Sequence, residues 1–256
     1  MSGHSKWSTI KRAKESNDLR KAKLFTKALN QIVLAVRNGG SNIDNNFILK
    51  TSIEKAKSLN VPSSSIDNAI RKGSGVDKDE DKFESVFYEA YGPGNTSLLI
   101  ECYTDNKNRV ISEIRFVLDR NKGKLVNNGT LDWQFDLQML FTLKITDTKS
   151  TKDSWRDVNK ERDISNLEEF EIDILDVDGL IDYSFDEGFA YIYVDPLNID
   201  AFKIFFESKL MRVDNIEKVF IPKIKIDIKE ENLADNQCLI ELLEDLTDIN
   251  GVYYNF

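Results

Sequence analysis

The apolar residues of this chain change their period once, at Gly73-Ser74-Gly75, and that change limits the folds open to it. Before it, apolar side chains recur every three or four residues; after it they largely alternate. Over 18–38, Ala22, Phe25, Leu29, Ile32, Val33 and Val36 mark one face of a helix that Gly39-Gly40 stops. A second helix over 46–60 turns Leu49, Ile53, Ala56 and Leu59 inward. A third follows Val61-Pro62, with Ser63 or Ser64 as its N-cap, Ile66 and Ile70 inward, and Gly73 as its stop. Three helices this short close a small bundle if they also lean on the rest of the molecule.

Beyond the change the chain reads as strands with helices between them. Strands are predicted over 83–91 and 97–103, joined by Gly92-Pro93-Gly94. A helix capped from Thr104-Asp105-Asn106 buries Val110, Ile114 and Val117 or Leu118, ends at Gly123, and leads to a strand over 131–135. A second set follows: strand 140–145, an exposed polar connector over 146–165, a segment over 167–175, and strands 180–185 and 189–194. A helix over 196–210, burying Ile199, Phe202, Ile204 or Phe205, and Leu210, precedes strand 213–221. This is a β-α-β-β-α-β order, the ferredoxin-like split unit. The tail reads as strand 223–229, helix 233–246 and strand 252–256.

The expected class is therefore α+β: an N-terminal three-helix domain followed by two ferredoxin-like α/β domains, one inserted in the other. The boundaries are 1–80 for a basic helical domain, 81–136 plus 220–256 for a discontinuous α/β domain, and 137–219 for the inserted one.

Charge divides along the same line. Residues 1–78 carry 15 Lys+Arg against 6 Asp+Glu, a net of +9, while the rest carries 20 against 38, a net of −18. Within residues 3–27 there are eight Lys or Arg and two acids. Such asymmetry points to an anionic partner. Lys6, Lys11, Arg12 and Lys14 surround Trp7, and Arg20, Lys21, Lys23 and Lys27 follow, with Arg20, Lys23, Lys27 and Gln31 on the polar helix face. These nine residues, Trp7 among them, are the candidate nucleic-acid contacts: an arm and a helical stripe that neutralise phosphates while Trp7 packs or stacks on a base.

Catalytic patterns fail one by one. The single histidine, His4, falls on the stretch expected to be an arm, which poorly serves catalysis that needs an imidazole held by packed neighbours. Cys102 and Cys238 are too far apart in sequence, and too distant from His4, to make a zinc set; both read as reduced, buried thiols in a reducing compartment. The run from Asp77 starts like a calcium loop but has Lys82 where Gly is needed and Tyr88 where Glu is needed. Gly73-Ser74-Gly75 lacks the Gly-Lys-Ser/Thr of a phosphate loop. No stretch approaches the roughly 20 apolar residues of a membrane-spanning helix. The reading is a protein without catalysis, cofactor, metal, membrane contact or evident small-molecule substrate.

Several segments resemble the YebC family. Gly3-His4-Ser5-Lys6-Trp7, Phe25-Thr26-Lys27 and Gly39-Gly40 are similar to its N-terminal domain. Tyr88-Glu89-Ala90-Tyr91-Gly92-Pro93-Gly94 resembles its YEGYGPGG segment, and the nine residues from Glu101 to Arg109 resemble ECLTDNRNR. The ending, Leu243-Glu244-Asp245 through Val252-Tyr253-Tyr254-Asn255-Phe256, is similar to its close. The resemblance implies a helical domain with two α/β domains, one inserted in the other, and association with nucleic acid or the ribosome. Bacterial members are probable transcriptional regulators, and mitochondrial ones are translational activators of cytochrome c oxidase subunit I.

This chain departs from the family at Lys11-Arg12, where an imidazole is usual, and at Asn45-Asn46-Phe47-Ile48-Leu49-Lys50 and Val61-Pro62-Ser63, where positive charge is lost. An acidic 173–182 region adds to these departures. The drift implies an organellar branch and the mitochondrial matrix; Met1-Ser2-Gly3 implies the alternative, a bacterial cytoplasm. The expected function is a translation factor contacting the ribosome, ribosomal RNA or messenger RNA. The alternatives are a DNA-binding transcriptional regulator and a protein-binding adaptor that uses the acidic surface.

Overall fold

The computed structural model describes the backbone of residues 4–75, 84–145 and 163–256, with side chains from Lys21 onward in those stretches. The acidic run from Asp77 and the connector 146–162 lie outside the described residues. The chain divides into two compact units, Met1–Trp133 with Ile224–Phe256, and Gln134–Lys223.

The first unit opens with α1 (His4–Gly39), α2 (Phe47–Ser58) and α3 (Ser63–Gly73). Helix α1 already begins at His4, so the stretch read as an arm is helical. No Gly or Pro interrupts 4–38, and a run of Ala, Lys, Arg and other tolerated residues sustains a helix without apolar periodicity. The bundle core is Ile32, Val33, Val36, Leu49, Ile53, Ala56 and Ile66, with Tyr103 of the sheet inserted among them. Asn46 joins two helix ends. Its Nδ2 donates to the Ala35 carbonyl at 2.7 Å and the Gly40 carbonyl at 2.8 Å, and its Oδ1 accepts from Leu49 N–H at 3.0 Å. The N-cap of α3 is Pro62 and not Ser63 or Ser64, and it makes no side-chain cap bond. Ser65 and Ile66 N–H both donate to the Pro62 carbonyl, so helical bonding already starts there.

The sheet of this unit has the order β3-β1-β2-β8, all antiparallel, from β1 (Glu84–Tyr91), β2 (Ser97–Thr104), β3 (Lys124–Val126) and β8 (Ile249–Tyr254). Helices α4 (Lys107–Arg120) and α7 (Glu230–Glu244) pack over Leu98, Ile100, Cys102, Val110, Ile114, Leu239 and Leu243. Strand β2 is buried along its whole length, because Tyr103 on the opposite face enters the helical core.

Two expected strands are absent here. Residues 131–135 give a 3-10 turn over Asp132–Gln134, since Leu131 N–H donates to the buried Glu89 carboxylate instead of to a ladder. Residues 223–229 alternate but lie outside the strands; the Ile226 N–H to Asn255 carbonyl bond, at 2.7 Å, ties them to the end of the chain.

The second unit holds β4 (Phe135–Lys144), α5 (Leu167–Leu175), β5 (Leu180–Asp186), β6 (Phe189–Val194), α6 (Ile199–Ser208) and β7 (Val213–Pro222). Its antiparallel order β5-β6-β4-β7 is the ferredoxin-like arrangement. The first sheet reaches the same neighbour pattern from another chain order. There β1 precedes β2-α4-β3 and takes the place that β6 holds in the second. Phe141, Phe202 and Phe206 form the aromatic centre of the second unit, with Phe141 and Phe206 rings 5.3 Å apart. This phase leaves Ile204 outside and Phe205 half-buried against Phe206, while Leu210, beyond the end of α6, is exposed against the reading that buried it.

Candidate nucleic-acid interface

Helix α1 carries all nine candidate contacts on one element. At ~1.5 Å per residue, Lys6 and Lys21 stand roughly 22 Å apart along its axis. The side chains of Lys6, Trp7, Lys11, Arg12, Lys14 and Arg20 lie outside the described residues; Lys21, Lys23 and Lys27 lie within them. Lys21 is exposed, with its ammonium 5.5 Å from the centre of the Phe25 ring.

The other end of the polar stripe is engaged by the fold. Lys23 pairs with Asp245 at 3.3 Å, and Lys27 donates to the Glu244 carbonyl at 2.9 Å. Gln31 reaches Asn250 at 3.5 Å. Residues 23, 27 and 31 follow one another at helical spacing, and all three meet the end of α7 or the start of β8. A helix C-terminus presents free carbonyls and the negative end of its dipole, so two ammonium groups are well placed there. Burial pushes the Lys27 ammonium below its ordinary value, against the pull of Glu244 and Asp245. The lysines nearest the globular body thus fix α1 to it.

Reading by residue type missed a second group, which the motif resemblance had pointed to. Glu89, buried, accepts from Gly129 N–H at 2.6 Å and from Leu131 N–H. Glu101, also buried, accepts from Tyr103 Oη at 3.0 Å and Asn250 Nδ2 at 2.7 Å. The register of β2 and β8 shifts at this point, passing from Glu101↔Gly251 to Cys102↔Ile249, which leaves Asn250 unpaired and free to turn toward Glu101. Asn236 donates to the Pro93 carbonyl at 2.8 Å, and its Oδ1 accepts from Thr96 at 2.7 Å. A Cβ on Gly92 would stand 2.4 Å from both side chains, so this turn needs glycine. Arg109 pairs with Asp248 at 2.6 Å and Asp105 at 3.1 Å. Glu101, Asn236 and Arg109 tie the first half of the unit to the returning tail, Glu89 holds the loop after β3, and each of these carboxylates is occupied by structural donors. Among the described residues, no three His, Cys, Asp or Glu side chains gather to hold a metal, and no helix is long and apolar enough to cross a membrane.

The cysteines differ from expectation. Both are free, but only Cys102 is buried, and burial raises its thiol far above the usual range; Cys238 is exposed. On α7 the inward positions belong to Leu239 and Leu243, which puts Cys238 on the outer side.

The described geometry is thus a basic helix whose root is fixed to an acidic α+β body. Comparison with known proteins makes it specific. The model of the TACO1/YebC protein N-terminal domain matches residues 5–76, and that of the TACO1/YebC second and third domain matches residues 83–256. The chain belongs to the TACO1/YebC family. It is 36% identical over 255 residues to the probable transcriptional regulatory protein TTE1135 of Caldanaerobacter subterraneus subsp. tengcongensis, covering 100% of this chain and 98% of that one. It is 37% identical over 257 residues to a probable transcriptional regulatory protein of Chloroflexus aggregans, covering 100% and 95%. The crystal structure of the conserved hypothetical protein Aq1575 from Aquifex aeolicus superposes with a TM-score of 0.76 at 29% identity, over 93% of this chain and 90% of that one.

Proposed function

We propose that this chain is a non-enzymatic regulator of gene expression that holds RNA, on the ribosome or as messenger, along the first half of α1. Lys6, Lys11, Arg12, Lys14, Arg20 and Lys21 contact phosphates and Trp7 stacks on a base, while Lys23 and Lys27 fix the helix to the body. The observation that carries this reading is the division of one helix into an anchored root, with three side chains on the tail, and a basic outer part. The net −18 beyond residue 78 repels polyanions, so contact is confined to the positive end. The organisms of the relatives favour a bacterial cytoplasm over the mitochondrial matrix.

The names of those relatives support a second reading, a transcriptional regulator on DNA. Binding of a single-stranded RNA and of a mixed duplex DNA, each titrated over a salt series, separates the two. The RNA reading expects the tighter binding to RNA. Replacing Lys11, Arg12 and Lys14 by Glu then lowers the magnitude of the log–log salt slope by about 2, at ~0.7 per phosphate. Tighter retention of one DNA sequence over mixed competitor would replace the RNA reading by the transcriptional one.

A further inference from the structure

The second unit has a surface that neither the nucleic-acid reading nor the family motifs use. Between residues 163 and 202 there are twelve Asp or Glu and no Lys or Arg. Helices α5 and α6 lie within or next to this stretch, and each turns an aliphatic side chain to solvent. On α5, Phe170 and Ile174 are buried while Ile172 is 66% and Leu175 58% exposed; on α6, Phe202 and Phe206 are buried while Ile204 is 67% exposed. Just before α6, Leu197 is 91% exposed.

Two of these side chains, Leu175 and Leu197, are brought next to each other. Asp195 N–H donates to the Gly179 carbonyl at 2.9 Å, and a Cβ on Gly179 would stand 2.2 Å from that of Asn198. The end of α5, with Leu175, therefore lies beside the turn that carries Leu197. Glu168, Asp176, Asp178 and Asp200, on or next to the two helices, are exposed.

Helix stability accounts for part of this charge, since Glu168 and Glu169 sit in the first turn of α5. Lys209 neutralises Asp173 at 2.5 Å and Lys203 neutralises Asp200 at 2.9 Å, while Glu171 receives the Tyr183 hydroxyl. Helix stability gives no reason for Asp176 and Asp178, which lie between Leu175 and the close approach of Gly179 to Asn198, to stand beside solvent-facing aliphatic side chains. Negative charge excludes RNA from this surface, and apolar area rewards a partner with apolar area of its own.

We infer that the outer face of α5 and α6 is a docking site for a basic amphipathic segment of another protein. Its aliphatic side chains cover Ile172, Leu175, Leu197 and Ile204, and its Lys and Arg meet the surrounding carboxylates. The site is independent of α1, so loss of nucleic-acid binding leaves it intact.

The test uses the full chain and two synthetic peptides of identical Lys/Leu composition, one patterned as an amphipathic helix and one scrambled. Titration is followed by fluorescence anisotropy and by amide chemical shifts. The expected result is binding of the patterned peptide at least tenfold tighter than the scrambled one, with shifts centred on α5 and α6. Ile172→Ser with Ile204→Ser, both at exposed positions, removes that preference. Equal binding of the two peptides, or a preference that survives the double substitution, overturns the proposal. Sedimentation of the chain alone is the further control: a dimer that the same double substitution converts to monomer would assign the face to a second copy and overturn the proposal as well.

Discussion

Asn46 serves two helix ends with one buried side chain, and its removal leaves the Ala35 and Gly40 carbonyls without this donor and Leu49 N–H without its cap. Losing an N-cap together with buried hydrogen bonds costs about 2 kcal/mol. Asn46→Ala is accordingly expected to lower the unfolding free energy from urea titration by that amount, through a lower midpoint with little change in slope. Lys27 gives a pH signature. Its folded value lies below the ordinary 10.5 because burial disfavours the charged form, so in the window just below 10.5 the unfolded chain binds more protons. Stability from this group therefore rises with pH across that window, and the neutral amine still donates to the Glu244 carbonyl. The stability of the wild type relative to Lys27→Met is expected to increase with pH in the window just below 10.5, as measured by urea unfolding at each pH. The thiols separate in the same way: iodoacetamide is expected to modify Cys238 in the native protein and Cys102 only after unfolding, read by mass spectrometry of the two peptides.

Among the elements, the loop 127–131 depends on Glu89, whose two carboxylate oxygens each accept one of its backbone N–H groups. Glu89→Gln sets an amide NH2 against one of these donors, at a cost of about 1–3 kcal/mol. Hydrogen exchange at Gly129 and Leu131 is expected to quicken while the β1–β2 hairpin stays protected; unchanged exchange at both amides would refute the assignment. Where elements were legible, one face was apolar at a single period: Leu49, Ile53 and Ala56 in α2, or Phe189 to Val194 in β6. The start of α1 has little such period, and its uninterrupted helix formers were the available signal. Strand β3, three residues long, is too short to alternate. Residues 223–229 alternate well, but alternation reports two unlike faces and not a pairing partner. In α6 two apolar phases compete, and the ring packing of Phe202 and Phe206 against Phe141 decides between them.

Across the whole molecule, the opposed charges of the two ends were plain from composition, and the resemblance of the motifs placed the chain in its family. The anchoring of Lys23 and Lys27 was not legible, because their partners lie more than 200 positions away and only the tertiary fold brings the end of α7 against α1. The separation of roles along α1 is the central claim: an outer basic part for RNA and a root held by the tail. Cosedimentation with ribosomes over a salt series tests it most directly, comparing the wild type with Lys11→Glu, Arg12→Glu and Lys14→Glu combined. The account predicts wild-type binding that weakens as salt rises, and a folded variant that remains in the supernatant at every salt concentration. A variant with an unchanged circular-dichroism spectrum that still pellets like the wild type would contradict it.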